Sequence, residues 1–186
     1  KPLSKPLVNS TAFTDKHSEK KKGEISMEDL STAVEIATED STPLDEKQML
    51  MGIASFSEKE VIGVMIPLVD IIGVDRSMDF TEMLAIVIKS GFSRIPVYDE
   101  TMDKVEGILY VKDLLPYLDA QSYEWQKLIR PAFFVPENRK INDLFQDFRE
   151  KKIHIAIVVD EYGGTSGLIT MEDVIEEIVG EINDEF

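Results

Sequence analysis

The chain has 186 residues, 43% of them hydrophobic and 30% charged, with a net charge of −16 and no cysteine. This composition suits one or two compact domains with a real hydrophobic core, and it excludes disulfides, thiol catalysis and thiolate metal sites. The acidic balance speaks against nucleic acid, whose phosphates need a basic face, and no run of about 18 apolar residues is present to cross a bilayer.

The charge is uneven. Residues 1–22 carry six lysines and two acids, a net of +4, which leaves −20 on the remainder. Such an arm reads either as a solvated tail or as a segment lying against anionic lipid headgroups. With no initiator Met and no signal-peptide pattern, the sequence reads as a piece of a longer chain. Residues 1–60 form a tether with linker helices in this reading. Ile25, Leu30, Val34 and Ala37 predict a short amphipathic helix capped by Ser26, Thr42-Pro43 interrupts it, and Asp45–Phe56 is helical again.

From Val64 the chain repeats itself, giving two units at residues 61–122 and 123–186. Each opens on a proline-containing lead, Val64–Pro67 and Leu128–Pro131, followed by a short extended piece, Ile71–Val74 and Phe133–Val135. A helix follows. Asp79-Phe80-Thr81-Glu82 predicts a capping box before an apolar face of Met83, Leu84, Val87 and Ile88. Ile141, Leu144, Phe145 and Phe148 recur at helical spacing in the second unit. Next come a buried strand, Arg94–Asp99 or Ile155–Asp160, and a turn, which in the second unit contains Gly163-Gly164. A second strand starts at a glycine, Gly107–Tyr110 or Gly167–Thr170, and a closing helix begins at Val111 or Met171. One such unit has too little core to stand alone. The predicted fold is α+β, two small sheets with packed helices, related by a pseudo-twofold axis.

The junction of the last strand with the closing helix is the candidate site. Thr170 stands at a helix N-terminus, where its hydroxyl and nearby N–H groups suit a phosphate. Asp173 lies on the same side of the first turn, with a carboxylate able to accept from two ribose hydroxyls. The same spacing also describes a plain N-cap with an acid complementing the helix dipole. Other candidates are weaker. His17 and His154 have no second ligand at metal spacing, and Trp125 reads as an anchor for the segment between the units. The acids Glu172, Asp173, Glu176, Glu177, Glu181, Asp184 and Glu185 read as a solvated face, or as oxygen ligands for Mg²⁺. No nucleophile–base pair, P-loop or acid–base pair is assembled, so an enzyme is not expected.

The repeat resembles the CBS motif, whose tandem pairs (Bateman modules) bind adenosine nucleotides. Its signature of Gly, an apolar stretch, Thr or Ser, two residues and Asp is matched by Gly167, Thr170 and Asp173; the first unit keeps Gly107 and Asp113 but has Tyr110 at the hydroxyl position. Ser93–Tyr98, Ile129–Pro131, Phe134–Glu137, Ala156–Thr165 and Glu172–Ile182 are similar to the CorC/HlyC branch, hemolysin-like proteins of magnesium and cobalt efflux. Tyr123-Glu124-Trp125-Gln126 is similar to its gliding-motility-associated subgroup.

The resemblance implies ATP, with Mg²⁺ as companion, held by Thr170 and Asp173. Adenine would lie against Ile155, Ala156, Phe133 and Phe134. A weaker second site would involve Tyr110, Asp113, Arg94 and Pro96, and would bind poorly or be filled by its own side chain. It further implies a homodimer and a membrane domain preceding residue 1, which puts the basic arm on the cytoplasmic face of a bacterial inner membrane. Two other readings stand beside this one: a structural dimerisation module with a decayed site, which Tyr110 favours, and a CBS pair inserted in a soluble enzyme.

Overall fold

The computed structural model describes residues 52, 53 and 55–179. The basic arm, the Ile25–Ala37 helix and the acids beyond Val179 lie outside the described residues, as does most of Asp45–Phe56, of which residues 52, 53, 55 and 56 are helical. None of the described helices is long and apolar enough to cross a membrane.

The first unit contains β1 (Ile66–Pro67), β2 (Val74–Asp75), α1 (Phe80–Ser90), β3 (Arg94–Asp99), β4 (Thr101–Tyr110) and α2 (Val111–Leu114). The second contains β5 (Arg130–Pro131), β6 (Phe134–Pro136), α3 (Ile141–Lys151), β7 (Ile155–Val159), β8 (Thr165–Thr170) and α4 (Met171–Val179). Helix α1 begins at the expected capping box: Asp79 accepts from the Glu82 N–H at 2.9 Å, and Glu82 reaches back to the Asp79 N–H at 3.4 Å. This satisfies two N–H groups that the helix leaves unpaired. Both long helices end on a left-handed residue, Gly91 (φ +71°) for α1 and Lys152 (φ +54°) for α3.

The two sheets have the orders β2-β3-β4-β5 and β1-β8-β7-β6. Each therefore takes an edge strand from the lead of the other unit. Pro67 and Ile66 pair with Gly167 and Leu168, and Pro131 and Arg130 pair with Gly107 and Ile108. The exchange explains the signature glycines. A Cβ on Gly167 would stand 2.4 Å from the Ile66 carbonyl oxygen; one on Gly107 would stand 2.4 Å from Ile129 Cγ2 and 2.5 Å from the Arg130 carbonyl oxygen. Only glycine lets the crossing backbones approach this closely.

Strand alternation sorts the core into three layers. Ile95, Val97 and Leu109 pack with Met83, Val87 and Leu114 under the helices of the first unit. Ala156, Val158 and Ile169 do the same with Ile141, Leu144, Phe148 and Val174 in the second. Between the sheets lie Val105, Ile108, Ile155, Ile157 and Leu168. Trp125 is fully buried in the first unit and its Nε1–H donates to the Met78 carbonyl at 2.9 Å, while Tyr123 stacks on Tyr117 at 3.8 Å between centroids. The Tyr123–Gln126 stretch thus anchors the segment between the units.

Two expectations need correction. Both second strands start before their glycine, β4 at Thr101 and β8 at Thr165, because the residues ahead of Gly107 and Gly167 still pair along β3 and β7. Ile88, expected on the apolar face of α1, is 71% exposed, since no described element covers that side of the helix.

Candidate functional site

Strand β8 runs directly into α4, and the joint is tied to the start of β7: the Met171 N–H donates to the His154 carbonyl at 3.0 Å. The first unit repeats the tie, with Val111 donating to the Ser93 carbonyl at 3.0 Å. A strand–helix joint fixed this way presents residues 170–173 at one place, beside the first residue of β7.

Thr170 and Asp173 are brought together as the spacing predicted. The Thr170 hydroxyl donates to Asp173 Oδ2 at 2.7 Å and accepts from the Asp173 N–H at 3.2 Å, while the Thr170 N–H donates to the same Oδ2 at 2.7 Å. This is a reciprocal cap, with Asp in the role usually taken by Glu or Gln. Both residues remain half-buried, so a hydroxyl and a carboxylate sit at the N-terminal end of α4 within reach of solvent. The cap and the candidate site are the same pair of side chains.

The proposed adenine wall divides. Ile155 faces the space between the sheets, whereas Ala156, its neighbour on the strand, is fully enclosed beneath the helices and Phe133 packs against that same layer. Phe134 is 46% exposed. Ile66, which the sequence reading did not single out, joins Ile155 between the sheets. The signal available for it was its alignment with Arg130 in the repeated leads.

The corresponding joint of the first unit is chemically different. Tyr110 makes no cap bond. Asp113 is held by Arg130 of β5, with Nε donating to Oδ2 and Nη2 to Oδ1, both at 2.9 Å. The Arg130 guanidinium lies 4.4 Å from the Tyr110 ring centroid, with Arg94 at 5.5 Å and the Lys112 ammonium at 5.6 Å. Arg94 Nε is buried without a hydrogen-bond partner. Pro96 is buried on β3 opposite Ile108. Beside this cluster, α1 and α2 enclose a cleft of about 630 Å³ lined by Leu84, Ile88, Phe92, Leu115 and Leu118 among others. Among the described residues, no three His, Asp or Glu side chains converge on a metal position.

Residues 59–120 and 126–180 each match the family model for the CBS domain. The magnesium and cobalt efflux protein CorC of Vibrio cholerae is 46% identical over 144 residues, which are 76% of this chain and 50% of that protein. The chain thus spans about half the length of the curated relatives it matches. Among solved structures, the CBS domain of the bacterial CNNM/CorC family Mg²⁺ transporter in complex with ATP is 41% identical, with a TM-score of 0.69 over 74% of this chain and 99% of that one. A CBS-domain pair with bound AMP from Klebsiella pneumoniae is 29% identical, with a TM-score of 0.59 over 65% of this chain and 98% of that one. The exchanged lead strands, the duplicated glycine-to-aspartate joint and these matches together make the chain a tandem CBS-domain pair, a non-catalytic module belonging to the CNNM/CorC family.

Proposed function

We propose that this pair is the regulatory nucleotide-binding module of a membrane transporter for magnesium or cobalt, with one adenosine nucleotide, ATP, held at the Thr170–Asp173 joint. The reading rests above all on that joint, where a hydroxyl, a carboxylate and a helix N-terminus meet beside the apolar Ile66 and Ile155. Asp173 accepts from the ribose hydroxyls, and Thr170 with the first N–H groups of α4 meets the phosphates. Adenine lies against Ile155 and Ile66, with Phe134 at the rim and Ala156 and Phe133 supporting the strand from behind. The structures of relatives with ATP and with AMP bound support the ligand class.

Mg²⁺ is the companion of ATP in this reading. Glu172, Asp173, Glu176 and Glu177 stand together on α4 and repel a polyphosphate unless a cation arrives with it. Their oxygen donors suit a hard cation. The metal comes with the phosphates, because the described residues offer no ready-made cage of their own.

The transporter's membrane domain precedes this segment in the same chain, and the pair sits at the cytoplasmic face of a bacterial inner membrane as a homodimer. The exposed apolar side chains Ile88, Phe92, Leu115 and Leu118 of the first unit support self-association. Nucleotide occupancy biases the membrane domain by binding one arrangement of the pair more tightly than another. The second reading, a structural dimerisation module with a decayed site, is favoured by one observation: Asp113 is already bonded to Arg130.

Calorimetric titration of nucleotide-free protein with ATP, ADP and AMP, with and without Mg²⁺, separates the two. Asp173→Ala should weaken ATP at least about tenfold, since charge-assisted hydrogen bonds contribute roughly 1.5–3 kcal/mol each. Asp113→Ala should change little. Unaltered ATP binding by Asp173→Ala, with binding abolished in Asp113→Ala, puts the site in the wrong half.

A further inference from the structure

The two joints superpose residue for residue through their strand registers. Tyr110 and Thr170 each pair with the first residue of the preceding strand, Arg94 and Ile155. Arg130 and Ile66 occupy the same place on the exchanged strands, opposite Ile108 and Leu168. Where the second joint has Ile66, Ile155 and Glu172, the first has Arg130, Arg94 and Lys112.

We propose that Arg130 is a built-in occupant of the first joint, and that this side chain limits the pair to a single nucleotide. The inference uses the reading above only to say where a nucleoside would sit. The guanidinium covers the two features such a ligand needs. Its fork bonds both oxygens of Asp113, the carboxylate equivalent to Asp173, and the side chain fills the place of Ile66, against which adenine lies in the second joint, with its Cζ 4.4 Å from the Tyr110 centroid. A ligand would have to displace a bidentate ion pair and a stacked cation together.

The occupant is a side chain and not part of the scaffold. Strand β5 is held by backbone pairing of Pro131 and Arg130 with Gly107 and Ile108, which survives loss of the guanidinium. The Arg130 side chain is 48% exposed, so its removal uncovers no core. With it gone, Asp113 and the Tyr110 ring become available, while Lys112, in the first turn of α2, remains beside the ring to meet phosphates. The opened site favours ATP over adenosine.

The test compares two proteins that share Asp173→Ala, one with Arg130 and one with Arg130→Ala, each titrated calorimetrically with ATP and with adenosine. The Arg130→Ala protein should bind ATP at least tenfold more tightly than its Arg130 counterpart, adenosine should gain less, and adding Asp113→Ala should remove the gain. Equal ATP binding by the two proteins, a gain that survives Asp113→Ala, or two ATP bound per parent chain would overturn the proposal. Thermal melts check folding; if Arg130→Ala does not fold, Arg130→Gln, which keeps the stem without the charge and is too short to hold Asp113 in the same fork, takes its place under the same criteria. Failure of the nucleotide reading shows instead as parent and Asp173→Ala binding ATP alike, a result independent of this comparison.

Discussion

The two units share a backbone and differ in what they offer a ligand. Both cross an exchanged strand over a glycine, and both tie the first N–H of the closing helix to the carbonyl before the central strand. At the strand–helix joints they part. The second joint carries a threonine–aspartate cap beside isoleucines; the first carries an aspartate already bonded to arginine, under a tyrosine flanked by cations. Positions fixed by backbone geometry stay alike across the repeat, because any side chain there breaks the fold of both units. Positions set by side-chain chemistry differ between the units, because the fold depends on them less than on the crossing backbones.

The largest expected effect tests how far the units differ in their anchors. Trp125 and Val61 each stand five residues before an exchanged strand, and each is fully buried. Trp125→Ala removes a whole ring and its bond to the Met78 carbonyl, and should cost about 4 kcal/mol. Val61→Ala should cost roughly half as much, in line with a smaller buried side chain. Urea unfolding of the two variants measures both, and equal losses would mean that the anchors do not scale with the surface they bury.

The next effect tests where the units should be the same. Alanine at Gly167 or at Gly107 places a Cβ 2.4 Å or 2.5 Å from a carbonyl oxygen of the crossing strand, that of Ile66 or of Arg130. Each substitution should cost roughly 2–3 kcal/mol, as overpacking against backbone does. Closely matched losses support the view that the crossing governs both units. A tolerated alanine in one of them would show that its edge strand shifts freely.

These positions also show what a sequence reveals and what it hides. The Asp79–Glu82 box and the Thr170–Asp173 pair were legible because capping depends on residues three apart. The run Arg94–Asp99 was legible because a short apolar segment ends at a turn. The exchange of lead strands was not, since the pairing of Ile66 with Leu168 joins residues a hundred apart and leaves no local periodicity. The bond of Arg130 to Asp113 was hidden for the same reason: it follows only once β5 lies beside β4. Ile155 and Ala156 were read together as one wall, yet alternation along β7 sends them to opposite faces.

A smaller effect concerns the cap. Thr170→Val removes the hydroxyl that bonds the Asp173 N–H and carboxylate, and should cost about 1 kcal/mol. On the proposed reading, in which Thr170 meets the phosphates, the same change should weaken ATP more than adenosine. Removing the hydroxyl of the first unit by Tyr110→Phe should leave stability nearly unchanged, as Tyr110 makes no cap bond. Melting curves and titrations on both variants compare the joints directly, and equal destabilisation would count against the reciprocal cap.

The smallest effect exchanges the residues that end α1 and α3. Both helices stop on a left-handed residue whose N–H bonds back to the helix, Gly91 to the Val87 carbonyl and Lys152 to the Phe148 carbonyl. A Cβ at Gly91 would meet nothing within 4 Å, so the cost of a side chain there is conformational and not steric. Gly91→Lys should therefore destabilise by about 1 kcal/mol, the usual penalty for a left-handed non-glycine residue. Lys152→Gly relieves the same strain, but glycine also gains freedom in the unfolded chain. Its benefit should be smaller, on the order of 0.5 kcal/mol. The two changes carried in one protein should leave a net loss of about 0.5 kcal/mol if the two helix ends act independently. A combined loss well above that of Gly91→Lys alone would show that Lys152 makes contacts that matter more than its backbone strain, and would break the equivalence of the two helix ends.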